Sequence, residues 1–160
     1  MGSLIFQASG FPALQIDCNE QHITALHWQR TRKRQRLHAA TTQEQRLLQR
    51  ARSDLERYFA GHAVTFRWPL DLQQGTPFQQ RVWRELQKVP YGKTRSYQEI
   101  ARRIRRTQAA RAVGNANGKN PFSIVIPCHR IIKHDGSIGG YAGGLGIKRK
   151  LLALERQSDS

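Results

Sequence analysis

The sequence predicts a chain of two parts. Residues 1–75 read as an N-terminal α/β domain, a small antiparallel sheet plus helices, and residues 76–160 as a mainly helical, winged-helix-like C-terminal domain with a helix-turn-helix. Three observations point there. Short runs of β-branched and aromatic residues, broken by turn residues, fill the first 28 positions. Capping boxes at Thr41/Glu44, Thr76/Gln79 and Ser96/Glu99 mark three helix starts. The charge is lopsided: residues 1–75 hold 10 basic and 6 acidic side chains, whereas residues 76–160 hold 17 and 5.

Leu4 to Phe6, Ala13 to Asp17 and Ile23 to Trp28 are the expected strands. The run Arg30-Thr31-Arg32-Lys33-Arg34-Gln35-Arg36 is dense in charge; such runs are more often solvated loops than nucleic-acid contacts. From Thr41, the residues Leu47, Leu48, Ala51, Leu55, Tyr58 and Phe59 recur at helical spacing until Gly61 supplies a stop. Val64, Phe66 and Trp68 alternate before Pro69, which predicts a further strand and then a linker ending at Gly75.

The second part opens with Thr76 as cap and Pro77 at the first helical position, and Phe78, Val82, Leu86 and Val89 form its apolar stripe. Pro90-Tyr91-Gly92 is a tight turn. Ser96 starts a short helix carrying Tyr97, Ile100, Ala101 and Ile104. Thr107 is expected to cap the next, from Gln108 to about Ala116, whose Ala109, Ala110 and Ala112 leave an unusually small face. Helices this closely spaced suggest a helix-turn-helix whose last helix lies against DNA. Ile124-Val125-Ile126 reads as a buried strand that delivers the chain into Pro127-Cys128-His129-Arg130. A glycine-rich loop runs from Gly136 to Gly146, and a terminal helix from Ile147 to Arg156.

The whole chain carries 27 Lys and Arg against 11 Asp and Glu, a net charge of +16, and 38% apolar residues. That apolar content suffices for an ordinary core, and the charge calls for an acidic partner, nucleic acid first. No stretch approaches the roughly 20 apolar residues that span a bilayer. No signal peptide or myristoylation pattern is expected at the start.

The cysteines Cys18 and Cys128 are 110 positions apart and share no metal-ligand spacing with other residues. Both read as reduced thiols, Cys18 as a half-buried strand residue. A free thiol is a few per cent ionised at neutral pH, so a nucleophilic cysteine needs a base or a positive charge nearby. His129 and Arg130 supply both types. On an extended strand His129 would point away from the Cys128 sulfur, so the pair would need a bridging water or a turn at Pro127. A histidine base also needs a carboxylate to fix its other nitrogen, and Glu85, Glu99, Asp135, Glu155 and Asp159 are the candidates. From the residues alone the chain is a DNA-binding protein with a plausible reactive cysteine.

The segments TPFQQRVWRELQKVPYGKTRSYQEIA, RAVGNANGKNPFSIVIPCHRII and DGSIGGYAGG, in this order and spacing, resemble the O6-alkylguanine-DNA alkyltransferases. The likeness is close over residues 76–155 and loose before them. It implies repair by stoichiometric, irreversible transfer of an alkyl group from O6-alkylguanine, and from O4-alkylthymine, to Cys128. His129 would act through a water, held by Glu155. Asn120 would brace the turn, and Tyr97 would donate to the departing base. Arg111 would fill the gap left by the flipped nucleotide. The small face at Ala109 and Ala110 would enter the minor groove of double-stranded DNA, without sequence preference. Tyr141, Ala142 and Gly143, with Ser123, would line the alkyl pocket. Some relatives carry tryptophan where Gly143 stands, so groups larger than methyl are expected to be accepted. No metal and no cofactor are implied. The protein would be a monomer, binding cooperatively along DNA or singly, in the cytoplasm on the nucleoid of a prokaryote or in a eukaryotic nucleus. Two rivals are a non-reacting alkyltransferase-like damage binder, whose known examples replace the cysteine, and a helix-turn-helix regulator, for which no dimerisation segment is present.

Overall fold

The structure is a computed structural model that describes residues 1–29 and 41–157. The basic run at 30–36 lies outside the described residues. The chain forms two compact units, Met1–Asp71 and Leu72–Ser160.

In the first unit, β1 (Gly2–Phe6), β2 (Leu14–Cys18) and β3 (Ile23–Trp28) form an antiparallel meander in the order β1-β2-β3. The register sets Leu4 opposite Ile16 and Ile16 opposite Leu26. α1 (Thr42–Phe59) starts from the Thr41/Glu44 capping box and lays Leu48, Ala51, Leu55 and Tyr58 onto β1 and β2. These residues stand three and four apart, so they make one continuous buried stripe. Gly61, at φ 95, takes the left-handed position after the helix, as a C-terminal stop requires.

The strand expected around Val64 to Trp68 does not form. Val64 and Trp68 are buried, and the Trp68 indole N–H donates to Asp54 at 2.8 Å, but the backbone there has no strand partner among the described residues. Pairing is confined to one bridge, where Ile23 N–H donates to the Pro69 carbonyl at 2.7 Å and Asp71 N–H to the Ile23 carbonyl at 3.1 Å. Apolar alternation reported burial here and not a ladder.

In the second unit, α2 (Pro77–Leu86) has Thr76 as cap, Pro77 at its first turn and Gln79 closing the box. Gly75 is forced by packing: a Cβ there would stand 2.3 Å from the Trp83 ring. α3 (Tyr97–Arg103) follows its own Ser96/Glu99 box, and α4 (Ala110–Gly118) packs against both α2 and α3. Trp83 pins this triangle by donating its indole N–H to the Ala116 carbonyl at 2.9 Å. α4 starts two residues later than expected. Ala109 is its N-cap with no side-chain bond, so Thr107 does not cap it. The residues between α3 and α4 instead close α3 with a Schellman motif: Arg106 N–H bonds the Ala101 carbonyl and Arg105 N–H the Arg102 carbonyl, with Arg105 at φ 59.

β4 (Arg95–Ser96) and β5 (Ile131–Ile132) pair in parallel, Arg95 with Ile131 and Ser96 with Ile132. This two-residue ladder fixes the segment just after Cys128 beside the start of α3, which carries Tyr97. α5 (Leu145–Gln157) packs on the turn Cys128–Arg130, burying Lys148, Leu151, Leu152 and Glu155 on one face.

Candidate active site

Residues 124–126 are buried as expected, yet they form consecutive turns and no strand. Ile124 sits at φ 72, and Val125 N–H donates across it to the Ser123 carbonyl at 2.9 Å. This is the rare, strained hand of the γ-turn, and a β-branched residue in that region costs on the order of 1–3 kcal/mol. Asn120 holds the strain in place. Its amide donates to the Ile126 carbonyl at 2.8 Å and the Phe122 carbonyl at 3.3 Å, and accepts from Phe122 N–H at 2.8 Å.

Pro127, at φ −78 and ψ 62, makes a second γ-turn of the common hand, closed by Cys128 N–H on the Ile126 carbonyl at 2.7 Å. Cys128–Arg130 then form a single 3-10 turn. The chain is therefore not extended at Cys128, and the expected strand geometry that would have thrown His129 to the opposite face does not apply.

His129 is fully buried, with Nε2 against Glu155 Oε2. Burial drives its pKa down, against the opposing pull of Glu155, so the imidazole is neutral at neutral pH. A neutral ring that donates from Nε2 presents a lone pair at Nδ1. That nitrogen is buried and has no hydrogen-bond partner among the described residues. Glu155 is fixed from several sides. Arg130 grips it in a fork, Nε to Oε1 at 2.7 Å and Nη2 to Oε2 at 3.3 Å, and Gly92 N–H donates to Oε1 at 3.1 Å. Burial alone would raise the Glu155 pKa. The hydrogen bond from His129 and the hydrogen bonds and charge of Arg130 outweigh it and hold the carboxyl far below the usual range. Arg130 is itself anchored by the Val89 carbonyl at 2.9 Å and lies over the Tyr91 ring.

Cys128 is 3% exposed, and burial pushes its thiol up to about 11, against the pull of Asn120 and Lys148. The resting group is the thiol, so ionisation must accompany reaction. Lys148 is 0% exposed, its ammonium donating to the Ile131 carbonyl at 2.6 Å and the Gly140 carbonyl at 2.9 Å. Burial pushes it down to about 8, and the Cys128 charge opposes that shift. The lysine thus supplies a positive charge to the thiolate and ties β5 to the glycine-rich loop.

A cleft of about 610 Å³ is bordered among others by Tyr97, Ala110, Arg111, Asn117, Tyr141 and Ala142; Cys128 does not itself border it, and is joined to its wall through Asn117, which holds the Cys128 carbonyl. Tyr97 is a phenol raised first by burial, and it senses Cys128. Gly139 lets the loop close on it: its φ is 71, and a Cβ there would lie 2.8 Å from the Tyr97 hydroxyl. Of the other residues expected at the site, Ser123 is buried within the strained turn, and Ala109 and Gly143 do not border the cleft.

Four contributors escaped the sequence reading. Lys148 stands on the same face of α5 as Leu151, Leu152 and Glu155, and two charges inside an apolar stripe were the available signal. Asn117 borders the cleft and donates from Nδ2 to the Cys128 carbonyl at 3.3 Å. Lys133 and His134 also border it, and nothing in their spacing marks them. Among the described residues no cluster of His, Cys, Asp or Glu could hold a metal ion, and no helix is long and apolar enough to cross a membrane.

Residues 77–157 match a family model described as 6-O-methylguanine DNA methyltransferase, DNA binding domain, and residues 8–72 match one described as 6-O-methylguanine DNA methyltransferase, ribonuclease-like domain. A methylated-DNA–protein-cysteine methyltransferase of Mycolicibacterium paratuberculosis is 54% identical over 116 residues, 72% of this chain and 70% of that protein. One of Methanosarcina barkeri is 43% identical over 140 residues, 88% of each chain. The crystal structure of the Mycobacterium tuberculosis OGT in complex with DNA superposes with a TM-score of 0.84 at 39% identity, covering 98% of this chain and 93% of that one.

Proposed function

The chain belongs to the 6-O-methylguanine DNA methyltransferase family, and on that premise we propose that it repairs alkylated DNA by moving the alkyl group onto its own Cys128. The observation that carries this reading is a buried thiol, its carbonyl held by Asn117 on the wall of an apolar cleft, next to a neutral histidine locked to a carboxylate.

The thiol gives its proton toward His129 Nδ1, through a water. The sulfur electron pair then attacks the alkyl carbon in line, an S–C bond forms, and the C–O bond breaks with its pair going to guanine, which takes up one proton. Lys148 steadies the thiolate, and Glu155 steadies the imidazolium that forms. The Tyr97 phenol, kept protonated by burial, donates to the departing base. A thioether does not hydrolyse, so each molecule acts once.

The target carbon lies inside the duplex, so the nucleotide has to be flipped into the cleft, at a cost of a few kcal/mol in unstacking. Arg111, exposed at the cleft border on α4, fills the gap left behind. The small residues Ala109 and Ala110 bring the start of α4 close to the minor groove, where the degenerate base edges suit sequence-independent repair. Asn120 positions the reactive turn. Tyr141 and Ala142 bound the alkyl pocket, and glycine at 143, itself off the cleft border, puts no bulky side chain beside Ala142, so groups larger than methyl are accepted. O4-alkylthymine is a second substrate, and the protein acts as a monomer on DNA.

Intact mass after mixing with a duplex containing O6-methylguanine tests the reading. A gain of one methyl mass, mapped to Cys128 and absent in Cys128→Ala, is expected. Damage-selective binding without any gain would overturn it in favour of a recognition protein.

A further inference from the structure

The turn that joins α3 to α4 is built around a backbone position that ordinarily takes glycine. Arg105 sits at φ 59, in the left-handed region, where its N–H bonds the Arg102 carbonyl at 3.0 Å and the next N–H, that of Arg106, bonds the Ala101 carbonyl at 2.8 Å. Glycine closes a helix in this way most readily, because a Cβ in the left-handed region crowds the backbone. Such strain persists where the surroundings impose it. Here Ile104 is buried next to it, Arg81 donates to the Ile104 carbonyl, and the Arg106 carbonyl accepts from Ala109 N–H at 2.8 Å. All of these contacts hold the backbone, and the exposed side chain of Arg105 takes no part in them.

Arg102 and Arg106 are exposed on the same turn. Among the described residues no carboxylate pairs with any of the three, because those of α2 and α3 are engaged elsewhere: Glu85 by Lys88 at 3.0 Å and Arg103 at 3.7 Å, and Glu99 by Arg95 at 3.8 Å. Like charges gathered on one turn repel each other, and a polyanion laid across them reverses the sign of that contribution. The turn runs directly into α4, whose Ala110 and Arg111 border the cleft.

We propose that Arg105, with Arg102 and Arg106, forms a second contact surface outside the cleft, a grip on the phosphate backbone of the duplex, for which the turn carries arginine at a position whose conformation favours glycine. The inference rests on the reading above in that α4 lies on a duplex. Contacts to phosphate carry no sequence information, so this grip adds affinity for damaged and undamaged DNA alike. Stability and binding therefore pull in opposite directions at one residue.

Arg105→Gly in the full chain separates the two. Its melting temperature should rise by about 3 °C as the left-handed strain is relieved. Its dissociation constant for an undamaged duplex at about 150 mM salt should rise roughly fivefold, and the slope of log affinity against log salt should shrink by about 0.9, the loss of one phosphate contact. Arg105→Asn, which also tolerates the left-handed region and also removes the charge, should show the same loss of affinity. Arg105→Lys keeps both charge and strain, so it should bind like the wild type with no gain in melting temperature. With an O6-methylguanine duplex, Arg105→Gly should need more DNA to reach its maximal rate of methyl uptake, with that maximum unchanged. Affinity and salt slope unchanged in both Arg105→Gly and Arg105→Asn would overturn the proposal. A lower melting temperature for Arg105→Gly would also overturn it, by making the arginine a structural part of the turn. Absence of methyl uptake by the wild type would instead overturn the alkyl-transfer reading, and the salt series on undamaged duplex would still decide the role of Arg105.

Discussion

Both cysteines of this chain are buried and both have their pKa raised, yet they sit in opposite chemical surroundings. Cys18 lies in β2, 0% exposed; burial raises its pKa first, and the Glu44 carboxylate raises it further. Around Cys128 burial also acts first, but the groups that oppose it are an amide and an ammonium, and the next residue is a neutral histidine fixed by a carboxylate. The contrast teaches that burial sets the resting state of a thiol, and the charges enclosed with it decide whether the anion can be formed when needed. At Cys18 a carboxylate adds to the effect of burial; at Cys128 an amide and an ammonium work against it.

The largest expected effect comes from removing the carboxylate that organises the second environment. Glu155→Ala leaves Arg130 and His129 buried without their shared partner, and breaking such a buried ionic group costs about 3–5 kcal/mol. Denaturant melts should show that loss, and alkyl uptake should fall with it. Wild-type stability should also decline in acid. The folded pKa of His129 lies below its ordinary 6.5, so the unfolded chain binds the extra proton first, and stability present above pH 6.5 is lost as pH falls through and below it. Glu155, also depressed, adds a further loss once pH drops below its ordinary 4.5. A flat stability profile from pH 7.5 to pH 4 would mean that this buried pair is not held in the charge states assigned.

These two environments were unequally legible in the sequence. The three strands of the first unit and the three capping boxes could be read, because cap chemistry and hydrophobic period are local, and Cys128-His129 stood out as a candidate pair. Glu155 was one of five candidate carboxylates until the family resemblance singled it out. The fold of residues 124–126 was not legible, since a run of three apolar β-branched residues is equally consistent with a buried strand and with a buried turn. Only the side chain of Asn120, which takes the hydrogen bonds a neighbouring strand would have taken, decides for the turn. Lys148 was hidden for a related reason: a lysine at a helix surface and a lysine buried on two carbonyls look alike until the loop that supplies Gly140 is in place.

Lys148 gives the second, intermediate effect. Lys148→Met keeps an unbranched side chain of similar length and removes the positive charge, so the contribution that lowers the Cys128 pKa disappears. At fixed neutral pH the alkylation rate should fall about tenfold, corresponding to roughly one pKa unit in the thiol. The same rate should then be recovered only at higher pH, because the thiol must lose its proton without the ammonium's help. The variant should still melt cooperatively, since replacing a buried charge by an apolar group removes a desolvation cost. An unchanged pH–rate profile would remove Lys148 from the chemistry and leave it a tie between Ile131 and Gly140.

The smallest effect is expected at Cys18, and it bears on the comparison most directly. Its sulfur is 3.9 Å from the Glu44 carbonyl, a weak contact, and the β2 interior favours a β-branched side chain. Cys18→Val should change stability by less than about 1.5 kcal/mol, as a near volume-conserving swap does, and leave uptake at one alkyl group per chain. The complementary measurement places O6-methylguanine DNA before the Cys128→Ala protein, in which Cys18 is the remaining thiol. No mass gain is expected, because burial and the Glu44 carboxylate outweigh the opposing pull of the N-terminal ammonium on that sulfur. Methylation of Cys18 under those conditions would show that burial, with or without a charged neighbour, does not separate the two thiols, and the distinction drawn between them would have to be sought in access to the cleft alone.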